Sequence, residues 1–117
     1  MKIRIKGNSL RYRLTRPEVE RFASDGYLED TTDFGATRLT YSLQRITGGN
    51  LSACFENNNI TIYMPHLMLQ EWSTTERVGF ENTDQGLYLL IEKDFMCLDL
   101  PAAEQADNYP NPLMMSK

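Results

Sequence analysis

Lys2-Ile3-Arg4-Ile5-Lys6-Gly7-Asn8-Ser9-Leu10-Arg11-Tyr12-Arg13-Leu14 reads as a β-hairpin with two unlike faces. Gly7-Asn8 suits a two-residue type II′ turn, because glycine at the first central position accepts a positive φ without steric cost. That turn sets Lys6 opposite Ser9, Ile5 opposite Leu10, Arg4 opposite Arg11, Ile3 opposite Tyr12 and Lys2 opposite Arg13. Opposed residues share a face. Ile3, Ile5, Leu10, Tyr12 and Leu14 therefore form one face, and Lys2, Arg4, Lys6, Arg11 and Arg13 the other. Like charges directly opposed destabilise a sheet. The second face thus needs compensation, from solvent and salt, from acids elsewhere in the chain, or from an external anion. Those five cations are the candidate residues for binding an anion or an acidic partner.

Beyond the hairpin, Thr15 and Glu18 match a T-x-x-E capping box, with Pro17 in the first turn and Leu14 and Val19 placed as a hydrophobic staple. Val19, Phe22 and Ala23 recur at helical spacing and Gly26 supplies the stop, which predicts a helix over 16–25. Tyr27 to Asp33 predicts a strand, and Arg38 to Ile46 another, with Leu39, Tyr41 and Leu43 inward. Thr47-Gly48-Gly49-Asn50 is the most flexible connection. Leu51 to Glu56, an Asn57-Asn58-Asn59 turn, and Ile60, Ile62 and Met64 predict a further hairpin. Pro65 opens a second short helix to about Trp72. Val78 to Glu81 is a strand, residues 82–86 a loop, and Leu87 to Ile91 an apolar run expected to be a central strand buried on both faces or a buried helical turn. Glu92-Lys93-Asp94 is expected to turn into a last strand over 95–100.

The order is hairpin, helix, hairpin, a Gly-Gly joint, then hairpin, helix, hairpin and a further strand. The halves echo each other in topology, without a residue-level repeat. The expected fold is α+β: a strongly bent or barrel-like, mainly antiparallel sheet of about eight or nine strands with two short helices. Residues 1–101 form the single domain. Residues 102–117 are read as an extended tail, stiffened by Pro110 and Pro112 and docked on the domain or a partner subunit through Tyr109, Leu113 and Met114.

With 117 residues, 41% hydrophobic and 24% charged, the chain is one folded domain. The net charge of −4 argues against general nucleic-acid binding. The charge is uneven: residues 1–46 carry nine basic and six acidic side chains (net +3), and residues 47–117 three basic and ten acidic (net −7). No apolar stretch has the length of a signal peptide or a membrane span. Cys54 and Cys97 lack C-x-x-C spacing and are expected to be reduced, so the protein reads as cytoplasmic.

Two stretches, the opening Lys2 to Arg13 and the closing Asp107-Asn108-Tyr109-Pro110-Asn111-Pro112, resemble an uncharacterised family of small bacterial proteins. Val78-Gly79-Phe80-Glu81 and Glu92-Lys93-Asp94-Phe95 fit it too. The resemblance implies a complete bacterial protein in which hairpin and tail belong together. It implies no activity and no catalytic residues.

The motifs of known chemistry are missing. There is no P-loop, G-x-G-x-x-G, H-E-x-x-H or G-x-S-x-G. His66 is the one histidine, and its helix-start position reads as ordinary surface. Cys97, Asp99, Glu104 and Asp107 match no metal-loop spacing, so no metal and no cofactor is expected. The basic hairpin remains. Turned inward in a closed barrel with Glu29, Glu56, Glu81 or Glu92, it would follow the plan of the triphosphate tunnel enzymes, whose Glu-x-Glu-x-Lys hallmark is absent. Turned outward, it is a docking face for an acidic protein or for the acidic half of a second copy. The expected function is therefore non-enzymatic protein–protein contact, with a homodimer as the expected assembly. The alternative is a phosphate- or anion-binding barrel or an enzyme acting on a phosphorylated small molecule.

Overall fold

The computed structural model describes residues 1–95. Eight strands and two helices follow in the order β1 (Lys2–Lys6), β2 (Ser9–Leu14), α1 (Arg16–Asp25), β3 (Tyr27–Asp33), β4 (Arg38–Ile46), β5 (Ser52–Glu56), β6 (Asn59–Pro65), α2 (His66–Thr74), β7 (Gly79–Asp84) and β8 (Leu87–Lys93). The fold is α+β, as expected. The strands form two four-stranded sheets, ordered β1-β2-β8-β7 and β3-β4-β6-β5. Among the described residues no ladder joins the sheets, so the expected single bent or barrel-like sheet is replaced by two.

Every hairpin is antiparallel, and in each sheet two hairpins meet through a central parallel pair, β2 with β8 and β4 with β6. Each hairpin thus finds its neighbour in the other half of the chain. The halves match in register as well as in order. Lys2 opposes Arg13 in the first hairpin and Ser52 opposes Tyr63 at the corresponding place. Tyr27 opposes Gln44, and Gly79 opposes Glu92. Turn contacts repeat likewise: Tyr88 N–H donates to the Asn8 carbonyl at 3.1 Å and Thr40 N–H to the Asn58 carbonyl at 3.0 Å. The chain is a pseudo-twofold arrangement of two hairpin–helix–hairpin units that exchange hairpins.

Local chemistry explains the elements. The β1–β2 turn places Gly7 at φ +53° while Asn8 stays negative, the sign pattern of type II′. The β5–β6 turn uses Asn57 and Asn58 at φ 50° and 62°, the pattern of type I′. In α1, the Glu18 carboxylate accepts the Thr15 N–H at 2.9 Å and the Thr15 hydroxyl at 3.0 Å, and Leu14 and Val19 are both buried. Gly26, at φ +73°, ends the helix by donating its N–H to the Phe22 carbonyl at 2.7 Å. Pro65 is the last residue of β6 and the cap of α2, one place earlier than its expected position inside the first turn.

The inner faces of both sheets and one stripe of each helix form a single core. Leu10, Tyr12, Leu89 and Ile91 come from the first sheet, Leu28, Leu43 and Ile62 from the second, and Phe22 and Trp72 from the helices. Each such side chain contributes about 1.5–3 kcal/mol by leaving water. Tyr12, fully buried, donates its hydroxyl to the Ile60 carbonyl at 2.9 Å and so ties one sheet to the other. Burial pushes its phenol well above the usual range.

The sheets also meet along two equivalent seams. At one, the Asn82 amide donates to the Leu51 carbonyl at 2.8 Å, and Asp84 accepts the Ala53 N–H at 3.3 Å. At the other, Asp30 takes the place of Asn82 and meets the Met1 amine at 2.9 Å, while Glu18 holds the same amine.

Three expectations are corrected here. Residues 82–84 belong to β7 instead of a loop, because Asn82 and Asp84 turn inward to the seam. Glu92 and Lys93 continue β8 instead of turning. The Leu87–Ile91 run is central but buried on one face only: Leu89 and Ile91 lie in the core, while Tyr88 and Leu90 are half-buried on the opposite side. The expected last strand beyond Phe95, Cys97, and the tail anchors Tyr109, Leu113 and Met114 lie outside the described residues.

Candidate anion-binding face

The hairpin register matches the expectation at all five pairs. Because Leu10, Tyr12 and Leu14 are buried, Lys2, Arg4, Lys6, Arg11 and Arg13 stand together on the outer face of the first sheet. The inward, tunnel-like arrangement does not form. Glu29 and Glu56 sit on the outer face of the other sheet, and Glu81 accepts the Tyr88 hydroxyl.

Strand β8 adds what the hairpin alone does not reveal. Its Glu92 lies beside Arg13 in the ladder. One oxygen, Oε1, accepts from Arg13 Nη2 at 2.8 Å and Arg13 Nε at 3.1 Å, and lies 3.6 Å from Arg11 Nε. Just past β8, Asp94 Oδ2 sits 3.0 Å from Lys2 Nζ, and the Asp94 N–H donates to the Leu14 carbonyl at 2.7 Å. The Lys2–Arg13 row is therefore compensated within the chain. The Arg4–Arg11 row is less so: its neighbours along the sheet are Leu90 and Glu81, and Glu81 is taken by Tyr88. That bond is the main reason the Tyr88 phenol is raised. Among the described residues Arg4 and Lys6 have no carboxylate within 4.0 Å.

Between the two rows lies a shallow groove of about 270 Å³, lined by Lys2, Ile3, Arg4, Arg11 and Arg13. It falls just below the roughly 300–1,000 Å³ of ligand sites. Its size suits one carboxylate or phosphate group with its immediate surroundings.

Charged residues on β1 have one plain structural use. β1 is an edge strand, and lysine or arginine there discourages pairing with other chains. That account does not extend to Arg11 and Arg13, which stand on the inner strand β2.

The pseudo-twofold supplies an internal control. In the second sheet the places of Lys2, Arg4 and Lys6 are taken by Ser52, Cys54 and Glu56, and those of Arg11 and Arg13 by Thr61 and Tyr63. That outer face is a ladder of hydroxyls: Thr31 with Thr40 at 3.0 Å and buried Ser42 with Thr61 at 2.8 Å. Its outward-facing cation, Arg38, lies at a strand end, 3.6 Å from Asp33. The same backbone carries a basic face once and a face of hydroxyls and carboxylates once.

The family of unknown function DUF7009 matches residues 1–113. The chain belongs to the DUF7009 family. The matched region takes in the basic hairpin, the two helices and eight strands of the described residues, and most of the segment beyond Phe95. The comparison with curated proteins finds no match, and neither does the comparison with solved structures.

The remaining candidates fall apart in space. His66 is exposed at the start of α2, and among the described residues no three His, Cys, Asp or Glu side chains cluster as metal ligands. Cys54 is a free thiol on β5, raised by burial and by its neighbour Glu56. Among the described residues no helix is long and apolar enough to cross a membrane. Asp94 is the site residue that the sequence reading missed, and Glu92, expected to face the basic hairpin inside a barrel, meets it on the outer face instead. The signal for the outer face was the alternation of Tyr88, Leu90 and Glu92 against Leu89 and Ile91, which places Glu92 outward once β8 is laid beside β2.

Proposed function

We propose that this chain is a non-enzymatic, cytoplasmic binding module whose basic groove receives carboxylate side chains of a protein partner. The observation that carries this reading is the asymmetry of the two outer faces. Equivalent backbones bear Lys2, Arg4, Lys6, Arg11 and Arg13 in one case and Ser52, Cys54, Glu56, Thr61 and Tyr63 in the other, so the fold does not require the cations. Directly opposed arginines cost stability. Their presence fits a face kept for an anion that joins them, since arginine forks pair well with carboxylates.

A second reading is a phosphorylated small molecule in the same groove. The concavity of the groove, about 270 Å³, favours it, because a protein face needs none of that kind. Both are tested by titrating hexaglutamate and, separately, inorganic tripolyphosphate into the protein by calorimetry at low salt. Hexaglutamate binding that disappears in Arg4→Glu/Arg11→Glu, with circular dichroism unchanged, is the expected result. Tighter binding of tripolyphosphate would favour the second reading. Binding of both probes unaltered by the double substitution would refute the groove as the site. Sedimentation of the same samples reports whether the wild-type chain is the expected homodimer.

A further inference from the structure

We infer that the acidic partner of the basic face is a second copy of this chain, joined along the β1–β3 side of the molecule by a twofold axis that runs with the strands. The inference rests on the proposed reading of the face and names its partner.

The charges match strand for strand. β1 and β3 are edge strands of the two sheets and lie on one side of the molecule, where the Met1 amine meets Asp30 at 2.9 Å. A twofold along that side brings β1 of each copy beside β3 of the other and sets outer face level with outer face. There β1 presents exposed Lys2, Arg4 and Lys6, and β3 presents exposed Glu29, Thr31 and Asp33. Aligning Arg4 with Thr31 of the second copy sets Lys2 beside Glu29 and Lys6 beside Asp33. Arg4 then stands diagonally between both carboxylates, within reach of a long side chain. The Arg4–Arg11 row thereby gains the counter-charge it lacks. Within one copy Glu29 accepts the Tyr27 hydroxyl at 3.3 Å, and Asp33 accepts the Gly35 N–H at 2.8 Å and lies 3.6 Å from Arg38.

The backbone matches as well. In the first hairpin Lys2, Arg4 and Lys6 exchange hydrogen bonds with β2, so Ile3 and Ile5 turn their N–H and C=O groups to the open edge. On β3 the phase is fixed at both ends. Phe34 N–H donates to the Thr37 carbonyl at 2.8 Å, and Arg45 N–H to the Gly26 carbonyl at 2.9 Å. Glu29, Thr31 and Asp33 therefore turn their backbone groups to the open edge. Ile3 and Ile5 carry their side chains on the inner face, and Glu29, Thr31 and Asp33 on the outer. An antiparallel ladder needs its bonded partners on one face, so it cannot form here. A parallel ladder can, because each residue bonds to the neighbours of the residue opposite. Ile3 bonds to Glu29 and Thr31, and Ile5 to Thr31 and Asp33. The twofold supplies the parallel sense. Leu51 meets Asn82 and Ala53 meets Asp84, so β5 and β7 run the same way where they meet, and β1 and β3 are their equivalents. Ile5, 61% exposed in one copy, gains cover.

The equivalent β5–β7 edge does not offer the same match. Ser52, Cys54 and Glu56 bring no cation to Glu81, and the Ala53 N–H is already held by Asp84 at 3.3 Å. The cations of β1 also repel a second β1, which leaves the acidic edge as their match.

The test uses the full chain as wild type, Arg4→Glu/Lys6→Glu and Glu29→Lys/Asp33→Lys. At low salt the wild type should sediment with the mass of two chains, halving in high salt. Each variant alone should have the mass of one chain, with circular dichroism unchanged. Their equimolar mixture should return to two, because reversed β1 meets reversed β3 in both ladders. Carbodiimide coupling of the wild type needs no variant. It should join Lys2 to Glu29 and Lys6 to Asp33 in the dimer band only, with Lys2 to Asp94 as the internal control in both bands. A wild type with the mass of one chain, a mixture of folded variants that stays monomeric, or a dimer without those links would overturn the inference. A monomeric wild type that still binds hexaglutamate would lose only the second copy. One that binds none would bring down the groove reading too.

Discussion

Glu92→Gln should make the protein less stable and a better binder. The Glu92 carboxylate serves three arginine nitrogens through one oxygen, at 2.8 and 3.1 Å on Arg13 and 3.6 Å on Arg11. Arg13 and Arg11 keep 39% and 35% of their side-chain exposure, so solvent screens the pairs and each contributes no more than about 1 kcal/mol. Removing the charge also leaves Lys2 against Arg13 and Arg4 against Arg11 without their common counter-charge, at roughly 0.2–1 kcal/mol for each opposed pair. The expected loss of folding stability is about 1–2 kcal/mol at low ionic strength, shrinking in high salt as the Debye length shortens. Binding moves the other way. A unit negative charge roughly 10 Å from the groove centre, acting through an effective dielectric of about 40–80, opposes a bound carboxylate by about 0.4–0.8 kcal/mol. Its removal should tighten hexaglutamate binding about two- to fourfold. Urea denaturation and calorimetry on the same preparation read both quantities. Tighter folding, or weaker binding, would refute the view that Glu92 restrains a face intended for another anion.

Two further outcomes follow from the fold. A Cβ at Gly79 would lie 2.1 Å from the Ile91 carbonyl oxygen and 2.9 Å from Glu92 Cα. Gly79→Ala should therefore push β7 away from β8, strain the Trp72 Nε1 bond to the Val78 carbonyl at 2.9 Å, and cost about 2–4 kcal/mol in urea denaturation; a loss under about 0.5 would show that β7 has room to move. Glu18→Gln tests the seam through pH in the chain beginning at Met1. Burial alone would raise the Glu18 carboxyl, but hydrogen bonds from the Met1 amine and Thr15 outweigh it and hold the group below its usual 4.5, so its stabilisation is present above that pH and lost as pH falls through the lowered value. Burial alone would lower the amine, but Glu18 and Asp30 hold it above its usual 8.0, so that contribution is present below pH 8.0 and lost as pH rises through the higher value. The stability gap between wild type and variant, about 1 kcal/mol, should be widest from about pH 5 to 8 and narrow on both sides; a gap that does not change with pH would exclude the ion pair as its source.

What could be read from the sequence was what lies close along the chain. The Gly7-Asn8 turn determined the register of five opposed pairs, and with it the membership of the basic face. The Thr15-x-x-Glu18 cap and Gly26 bounded α1 at both ends. What escaped were contacts between distant segments. Nothing in β2 or β8 alone says that they run parallel side by side, since each is a good amphipathic strand for any neighbour. That missing pairing hid Asp94 from the site and left Glu92 as one of four acids that could meet the hairpin. It also made the Leu87–Ile91 run look doubly buried, whereas Tyr88 and Leu90 share the outer face with arginines, whose aliphatic stems tolerate such company. Asn82 and Asp84 looked like loop residues because their polarity argues against a strand. The seam contacts to Leu51 and Ala53 give those polar groups their partners.

The pseudo-twofold separates what the fold needs from what it merely carries. At the seam position of Asn82 and Asp30 both halves keep a contact between the sheets and adjust the chemistry to the partner, whereas the Tyr12 bond to the Ile60 carbonyl has no counterpart, because Ile62 stands in the equivalent place. Asn82 offers an amide to the neutral Leu51 carbonyl, and Asp30, at the equivalent place, offers a carboxylate to the charged Met1 amine. The buried pairs behave alike: Phe22 answers to Trp72, and Leu43 to Ile91. The outer faces do not follow this rule. Five cations in one half stand against hydroxyls, a thiol, a carboxylate and a phenol in the other, with no difference in ladder register to account for them. The proposed reading accounts for three features together: the fold tolerates the absence of these cations, they set arginine against arginine, and they gather around a groove. The decisive comparison is therefore internal: Arg4→Ser/Arg11→Thr, which moves the basic face toward its counterpart, should leave folding intact or improve it while abolishing hexaglutamate binding. Destabilisation by that exchange would return the cations to a structural role.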